Sequence, residues 1–89
     1  MSNKTVQKKV DWKGEARRTL RFEMKIRDIG YKELVRRLNG MGVAETERSV
    51  ASKVSRGTFS AAFLLQCLRA MDVRTLDVSG GPVTSARED

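Results

Sequence analysis

The sequence predicts an all-α protein, folded as a compact bundle of four to five helices. Apolar side chains recur at helical spacing in several segments, and glycines or short polar turns separate these segments. The chain has 89 residues, of which 39% are hydrophobic and 33% charged, which is the size and composition of one small globular domain. We expect a flexible basic arm over residues 1–10, the helical domain over residues 11–78 and a disordered tail over residues 79–89.

A first helix is predicted to begin after Asp11, whose side chain can cap a helix N-terminus. One sector of this helix is apolar except for one acid and is expected to face the core; it consists of Trp12, Ala16, Leu20, Phe22, Glu23 and Ile26. The opposite sector holds the cations Arg17, Arg18, Arg21 and Lys25. Because four cations on one face repel each other, an anionic partner such as a phosphate backbone would stabilise the helix. Gly30 is expected to end it.

A second helix is predicted from apolar residues at i, i+3, i+4 and i+7, namely Tyr31, Leu34, Val35 and Leu38. This spacing leaves Lys32, Arg36 and Arg37 facing outward. Residues 39–45 are expected to connect this helix to the next, since Gly40 and Gly42 interrupt the helical pattern.

A third helix is predicted over residues 45–56, with Thr46 as its N-cap and Gly57 as its C-terminal stop. Its two faces are unlike. One face carries the apolar residues Val50, Ala51 and Val54, and the other carries Ser49, Ser52, Lys53 and Arg56 at helical spacing. Small polar and cationic side chains of this kind could enter a DNA groove.

A fourth helix is predicted over residues 61–71, capped by Ser60. It is apolar on nearly every side, so it supplies the centre of the core through Phe63, Leu64, Cys67, Leu68 and Met71. Ala62 and Leu65 lie outside this core set and are expected to contact another surface. We expect the single cysteine to be a small buried apolar residue. Residues 74–78 alternate between polar and apolar side chains, as a short strand does.

The formal net charge of +7 favours a polyanionic partner, with nucleic acid ahead of a membrane. The whole excess lies in residues 1–37. The chain has no histidine and one cysteine, so we expect no metal, no cofactor, no disulfide and no enzymatic activity. With neither a signal-peptide pattern nor a membrane span in view, we expect the protein in the cytoplasm, at the nucleoid if it is bound to DNA.

Three segments together resemble a known family. The sequence Tyr-Lys-Glu-Leu-Val-Arg-Arg-Leu at residues 31–38 resembles the first motif helix of phage-repressor-like DNA-binding domains of the Cro and lambda repressor type. Residues 52–57 are similar to the end of their recognition helix, and residues 60–71 resemble the helix that closes those domains. The similarity covers roughly residues 18–78. The chain is also similar to a family of short bacterial proteins of unknown function.

The repressor resemblance implies a helix-turn-helix protein that binds double-stranded DNA, such as a small transcriptional regulator of a bacterium or phage. Base contacts are then expected from Arg48, Ser49, Ser52 and Lys53. Phosphate contacts are expected from Arg17, Arg18, Lys32, Arg36, Arg37 and Arg56. A homodimer would complete an operator-binding protein, and its predicted interface consists of Ala62, Leu65, Arg74, Leu76 and Val78.

One alternative function remains from a different class. A small protein-binding adaptor or inhibitor of a mobile element could use the basic face of the first helix on an acidic partner, and its charge would look the same. RNA binding is less favoured, because the five aromatic residues are at predicted core or staple positions and form no stacking platform. Since the connection over residues 39–45 is longer than the usual turn of three or four residues, the exposure of helix 45–56 decides whether it can act as a recognition helix.

Overall fold

A computed structural model describes residues 10–79 of the protein, and this part of the chain contains four α-helices. They are α1 (Trp12–Ile26), α2 (Tyr31–Gly40), α3 (Glu47–Arg56) and α4 (Ala61–Ala70). The predicted all-α bundle is therefore confirmed. The expected basic arm, apart from Val10, and the expected tail, apart from Ser79, lie outside the described residues.

A single hydrophobic core forms where the four helices meet, and each of them contributes to it. Its members in the helices are Leu20, Met24, Leu34, Val35, Leu38, Val50, Val54, Phe63, Cys67 and Leu68, joined by Ile29 and Met71 just beyond helix ends. This set confirms the predicted inner faces of α2, α3 and α4, except that Tyr31, Ala51 and Leu64 are only half-buried. Burial raises the pKa of the Cys67 thiol to about 12, so this side chain is a protonated apolar group at neutral pH.

The predicted core face of α1 is wrong in part. Trp12 is 73% exposed, Ile26 is 56% exposed and Phe22 is 36% exposed, whereas Met24 is buried. The apolar residues of α1 occupy two sectors, and the sector containing Leu20 and Met24 is the one that packs against the other helices. The predicted sector is correct for Leu20 and for Glu23, whose buried carboxylate pairs with Arg27.

The end of α1 also differs from the prediction, because Gly30 is not its stop. The helix ends at Ile26, Asp28 takes a left-handed φ of 57°, and Gly30 instead precedes α2 as its N-cap. The backbone N–H of Ile29 donates to the carbonyl of Met24 at 2.9 Å, which turns the chain and buries Ile29.

The helices α2 and α4 end in the same way. After α2, the N–H of Val43 donates to Leu38 O, and after α4 the N–H of Val73 donates to Leu68 O, both at 2.9 Å. Both valines pack against the core. These terminal turns hold the connections close to the bundle.

The short strand predicted over residues 74–78 is not formed, and the described part of the chain contains no strand. A strand needs a neighbouring backbone to pair with, and this helical fold offers none. Of this segment, Leu76 is half-buried against the core, whereas Val78 is exposed.

Both ends of α3 are fixed as predicted, although the helix begins two residues later than expected. Thr46 is the N-cap, and its hydroxyl accepts from Ser49 N at 3.0 Å while Ser49 Oγ accepts from Thr46 N at 2.9 Å. Gly57 ends the helix with a left-handed φ of 67°. A Cβ atom added there would lie 2.2 Å from the carbonyl oxygen of Lys13, so the end of α3 fits against the first turn of α1.

No helix in residues 10–79 combines the length and the apolar character that crossing a membrane requires.

Candidate nucleic-acid interface

The outer face of α3 carries two arginines and two serines, of which all but the half-buried Ser52 are exposed. Val50 and Val54 are fully buried, and the side of the helix opposite to them holds Arg48, Ser52, Ser55 and Arg56. Arg48 and Arg56 are exposed, and Ser52 Oγ accepts a hydrogen bond from Arg56 Nη1 at 2.8 Å. Arg48 forms no ion pair with any residue between 10 and 79. This face is therefore polar, cationic and open.

The connection between α2 and α3 does not cover that face. It spans residues 41–46, which is longer than the three- or four-residue turn of a helix-turn-helix motif. Val43 N donates to Leu38 O at the end of α2, and Glu45 N donates to Asn39 Oδ1 at 3.2 Å. The additional residues thus fold back on α2 and leave the outer face of α3 accessible.

Glu45 bonds the end of this connection to the side of α3. Its side chain is only 7% exposed, and its carboxylate pairs with Lys53 Nζ at 2.6 Å and accepts a hydrogen bond from Ser49 Oγ. Lys53 Nζ also lies 5.0 Å from the centroid of the Phe63 ring on α4. We call Glu45, Ser49 and Lys53 the Glu45 clamp. It joins the connection to α3, and Lys53 extends it to α4.

The charge state of the Glu45 clamp is set by two opposing effects. Burial alone raises the pKa of Glu45, but the hydrogen bonds from Lys53 and Ser49 outweigh burial and leave the pKa below its ordinary value. Glu45 is therefore ionised at neutral pH and neutralises Lys53. Two of the four predicted base-contact residues, Ser49 and Lys53, are held in this internal network, while the other two, Arg48 and Ser52, lie on the open face.

The predicted phosphate contacts are divided between two regions of the surface. Arg17 Nη1 donates to the carbonyl of Ser55 at 3.0 Å, so this arginine lies beside the C-terminal half of α3, as does Arg56. Arg36 and Arg37 project from α2 and both bind Glu33. Arg37 Nη1 also donates to Ala70 O at the end of α4, at 3.3 Å. The two remaining residues are Lys32, which is exposed, and Arg18, which pairs with Glu15 on α1.

Glu33 is the acid that holds the arginines of α2. Hydrogen bonds from Arg36 and then Arg37 lower the pKa of Glu33 from 4.5 to about 2. A carboxylate with a lowered folded-state pKa stabilises the fold above its unfolded-state pKa, and it loses this contribution as pH falls towards the folded-state value.

We therefore expect the melting temperature to fall as pH is lowered from 4.5 to about 2, with Glu33 contributing to the loss. Circular dichroism melts across this range should show a shallower decrease for Glu33→Gln than for the unsubstituted protein. Glu47→Gln is the matched control, because Glu47 is exposed and forms no ion pair within residues 10–79. Parallel pH curves for Glu33→Gln and the unsubstituted protein would contradict the assignment.

Three residues of this region were not predicted as part of the site. The sequence pattern places Glu45 at the first residue of the third helix, assigns no role to Ser55 and does not include Lys13 in the cationic face of the first helix. Lys13 lies in the turn of α1 whose backbone meets Gly57. Lys13 is four residues before Arg17, a spacing that places both cations on the same side of the helix, so the sequence does contain a signal for Lys13. Nothing in the local sequence pairs Glu45 with Lys53, eight residues later.

The predicted dimer residues lie on a different part of the surface. Ala62, Leu65, Arg74 and Val78 are exposed, and Leu76 is half-buried. Two shallow grooves share Leu64 and Leu76 as lining residues, with Leu65 and Arg74 in one groove and Val78 in the other. No helix within residues 10–79 covers this apolar surface.

The protein is a small all-α domain. Its candidate site is the open cationic face of α3, which is an exposed surface and not a closed pocket. The chain belongs to the family described as a domain of unknown function, DUF6471, whose model matches residues 12–76. This match spans α1 to α4 and confirms the expected similarity to a family of unknown function. The family match gives no support to the resemblance to phage repressors. No curated protein and no solved structure matches the chain.

Proposed function

We propose that the protein binds double-stranded DNA in a sequence-specific manner, as a small transcriptional regulator of the repressor-like type, with α3 as its recognition helix. The observation that carries the proposal is the open outer face of α3, where two arginines and two serines lie opposite the buried Val50 and Val54. A recognition helix needs this arrangement, because one side must pack on the domain while the other enters the major groove.

The side chains of this face divide into two roles. Arg48 is near the N-terminus of α3, which is the part of a recognition helix that contacts base edges, and Ser52 follows one turn later. Arginine suits the paired acceptors of guanine, and serine can bond several base edges. Arg56 and Arg17 lie at the other end of α3 and are suited to phosphate.

The Glu45 clamp changes what is expected of the remaining predicted base contacts. Lys53 is neutralised by Glu45 and Ser49 is part of the helix cap, so either would have to leave an internal bond to reach a base. We therefore assign base reading first to Arg48 and Ser52, and give Ser49 and Lys53 a supporting role.

The test is fluorescence anisotropy with the DNA upstream of the protein's own gene and with a scrambled duplex, at two salt concentrations. We expect tighter binding to the upstream DNA and a steep loss of affinity with salt, as counterion release requires. Arg48→Ala should cost about 1–3 kcal/mol on the preferred duplex and little on the scrambled one, and Arg56→Ala should weaken both alike and reduce the salt slope by about 1.

Arg69→Ala is the matched control for both variants. It removes the same charge from an exposed position near the end of α4, away from the outer face of α3. It should leave DNA binding almost unchanged. Equal affinity of the unsubstituted protein for the two duplexes would overturn sequence-specific binding, and equal losses for Arg48→Ala and Arg69→Ala would overturn the assignment to α3.

A further inference from the structure

An exposed apolar ridge runs along α1 on the side turned away from α3. It consists of Trp12, Phe22 and Ile26, which are 73%, 36% and 56% exposed. Their spacing places them along one side of the helix, with Thr19 between them. We call these three residues the α1 ridge. The core does not use it, and no element within residues 10–79 covers it.

The α1 ridge continues into the apolar groove at the N-terminal end of the helix. Trp12 lines this groove together with Val10, Val78 and Leu76. Val10 and Val78 are themselves 52% and 83% exposed. The ridge and the groove thus form one apolar face, reaching from the end of α1 to the last described residues of the chain.

We propose that this apolar face is the surface through which two copies of the chain form a two-fold homodimer. The proposal concerns self-association and stands independently of what α3 binds. The interface predicted from the sequence includes Ala62 on the outer side of α4. The interface proposed here is centred instead on the α1 ridge.

The first argument is the amount of apolar surface. A large apolar side chain buries about 150–250 Å² when it is fully covered, so the five exposed residues together leave on the order of 500 Å² in water. A patch of this size is at the upper end of what monomers expose, which is about 300–600 Å². A standard interface takes about 800 Å² from each partner, of which roughly 57% is nonpolar. The apolar face supplies about that nonpolar share.

The second argument is that charged residues border the apolar face. On one flank, Arg21 and Lys25 are exposed and form no ion pair within residues 10–79. At the N-terminal end of α1, the groove is lined by the acids Glu15, which is paired with Arg18, and Asp77. An apolar centre with a charged rim is the arrangement found at protein–protein interfaces, and a two-fold axis would place the same patch of a second copy against it.

The third argument is the position of α3. Arg17 bonds to Ser55 on α3, and helical spacing puts Arg17 on the far side of α1 from Ile26. A dimer formed through the α1 ridge therefore leaves the outer face of α3 uncovered in both copies.

The oligomeric state can be measured by sedimentation velocity from low to high micromolar concentration. We expect the unsubstituted full chain to dimerise within this range. Ile26→Glu places a charge in the α1 ridge and should weaken dimerisation by at least about tenfold. Because Ile26 is exposed in the last turn of α1, this variant should keep the helical circular dichroism spectrum and the melting temperature of the parent. Ala62→Glu is the matched control and should dimerise as the unsubstituted protein does.

Trp12 supplies a second readout that does not depend on any substitution, because it is the single tryptophan of the chain. Its emission should shift to shorter wavelength as the unsubstituted protein dimerises, and stay at the exposed position in Ile26→Glu. Three results would overturn the proposal. They are a protein that is monomeric throughout the range, a dimer that Ala62→Glu disrupts and Ile26→Glu does not, and a dimer in which Trp12 emission is unchanged. A monomer with Trp12 emission already at short wavelength would assign the ridge to another occupant.

Discussion

Replacing Gly57 with alanine is expected to lower the free energy of unfolding by about 3 kcal/mol or more, which is a large part of the stability of a small domain. Two costs combine at this position. The left-handed backbone of Gly57 strains any residue with a Cβ, and the new methyl group would lie 2.2 Å from the carbonyl oxygen of Lys13. Because that oxygen belongs to the backbone, α1 and α3 would have to move apart.

Urea denaturation followed by circular dichroism measures this loss, and Gly40→Ala is the matched control. Gly40 is the last residue of α2, and a Cβ there meets nothing within 4 Å. Alanine is a better helix former than glycine, so the control should be neutral or more stable by up to about 1 kcal/mol. Similar stabilities for the two variants would contradict the close contact between α3 and α1.

Replacing Glu45 with alanine is expected to cost about 2 kcal/mol and to release Lys53. Removal of one partner from a fully buried ion pair costs about 3–5 kcal/mol. The cost is smaller here, because Lys53 is 38% exposed and can regain water when its partner is lost. Ser49 would keep its bond to the backbone of Thr46, so the N-terminus of α3 should remain capped.

A double-mutant cycle of Glu45→Ala with Lys53→Ala separates the pair from the other effects of either change. We expect the double variant to be more stable than the sum of the two single losses predicts. Glu47→Ala is the matched control, since it removes an exposed carboxylate from the first turn of α3 and should cost about 0.3–1 kcal/mol through the helix dipole. Additive losses in the cycle would show that the two side chains do not stabilise each other.

A second substitution at Glu45 tests the proposed function. Glu45→Gln removes a negative charge beside α3 and frees the Lys53 ammonium, so it should tighten DNA binding at low salt. This gain in affinity together with a loss of stability distinguishes the Glu45 clamp from an ordinary structural ion pair elsewhere on the surface.

The sequence was sufficient for the helices whose apolar residues lie on one side only. In α2, Leu34, Val35 and Leu38 have a single consistent spacing, and in α3 the pair Val50 and Val54 leaves just one possible inner face. The ends of α3 were predictable as well, because Thr46 and Gly57 are residues whose chemistry suits those positions.

The orientation of α1 was not predictable, because this helix has apolar residues on two sides. Leu20 and Met24 define one inner face, while Trp12, Phe22 and Ile26 define another, and helical spacing does not choose between them. The choice is made by packing against the other helices. The Glu45 clamp was not predictable for a related reason, since Glu45 and Lys53 meet only when the folded connection brings Glu45 to the side of α3.

The contacts that seat α3 against α1 come from distant parts of the chain. Arg17 bonds to Ser55, which is 38 residues later, and Lys13 meets Gly57 at a similar separation. Contacts of this kind carry a cost in loop-closure entropy, since the intervening chain must be brought together to form them. The open face of α3 is therefore a property of the cooperatively folded domain. The α2–α3 segment alone would retain its helical propensity and its arginines without the fixed tilt at which α3 presents them.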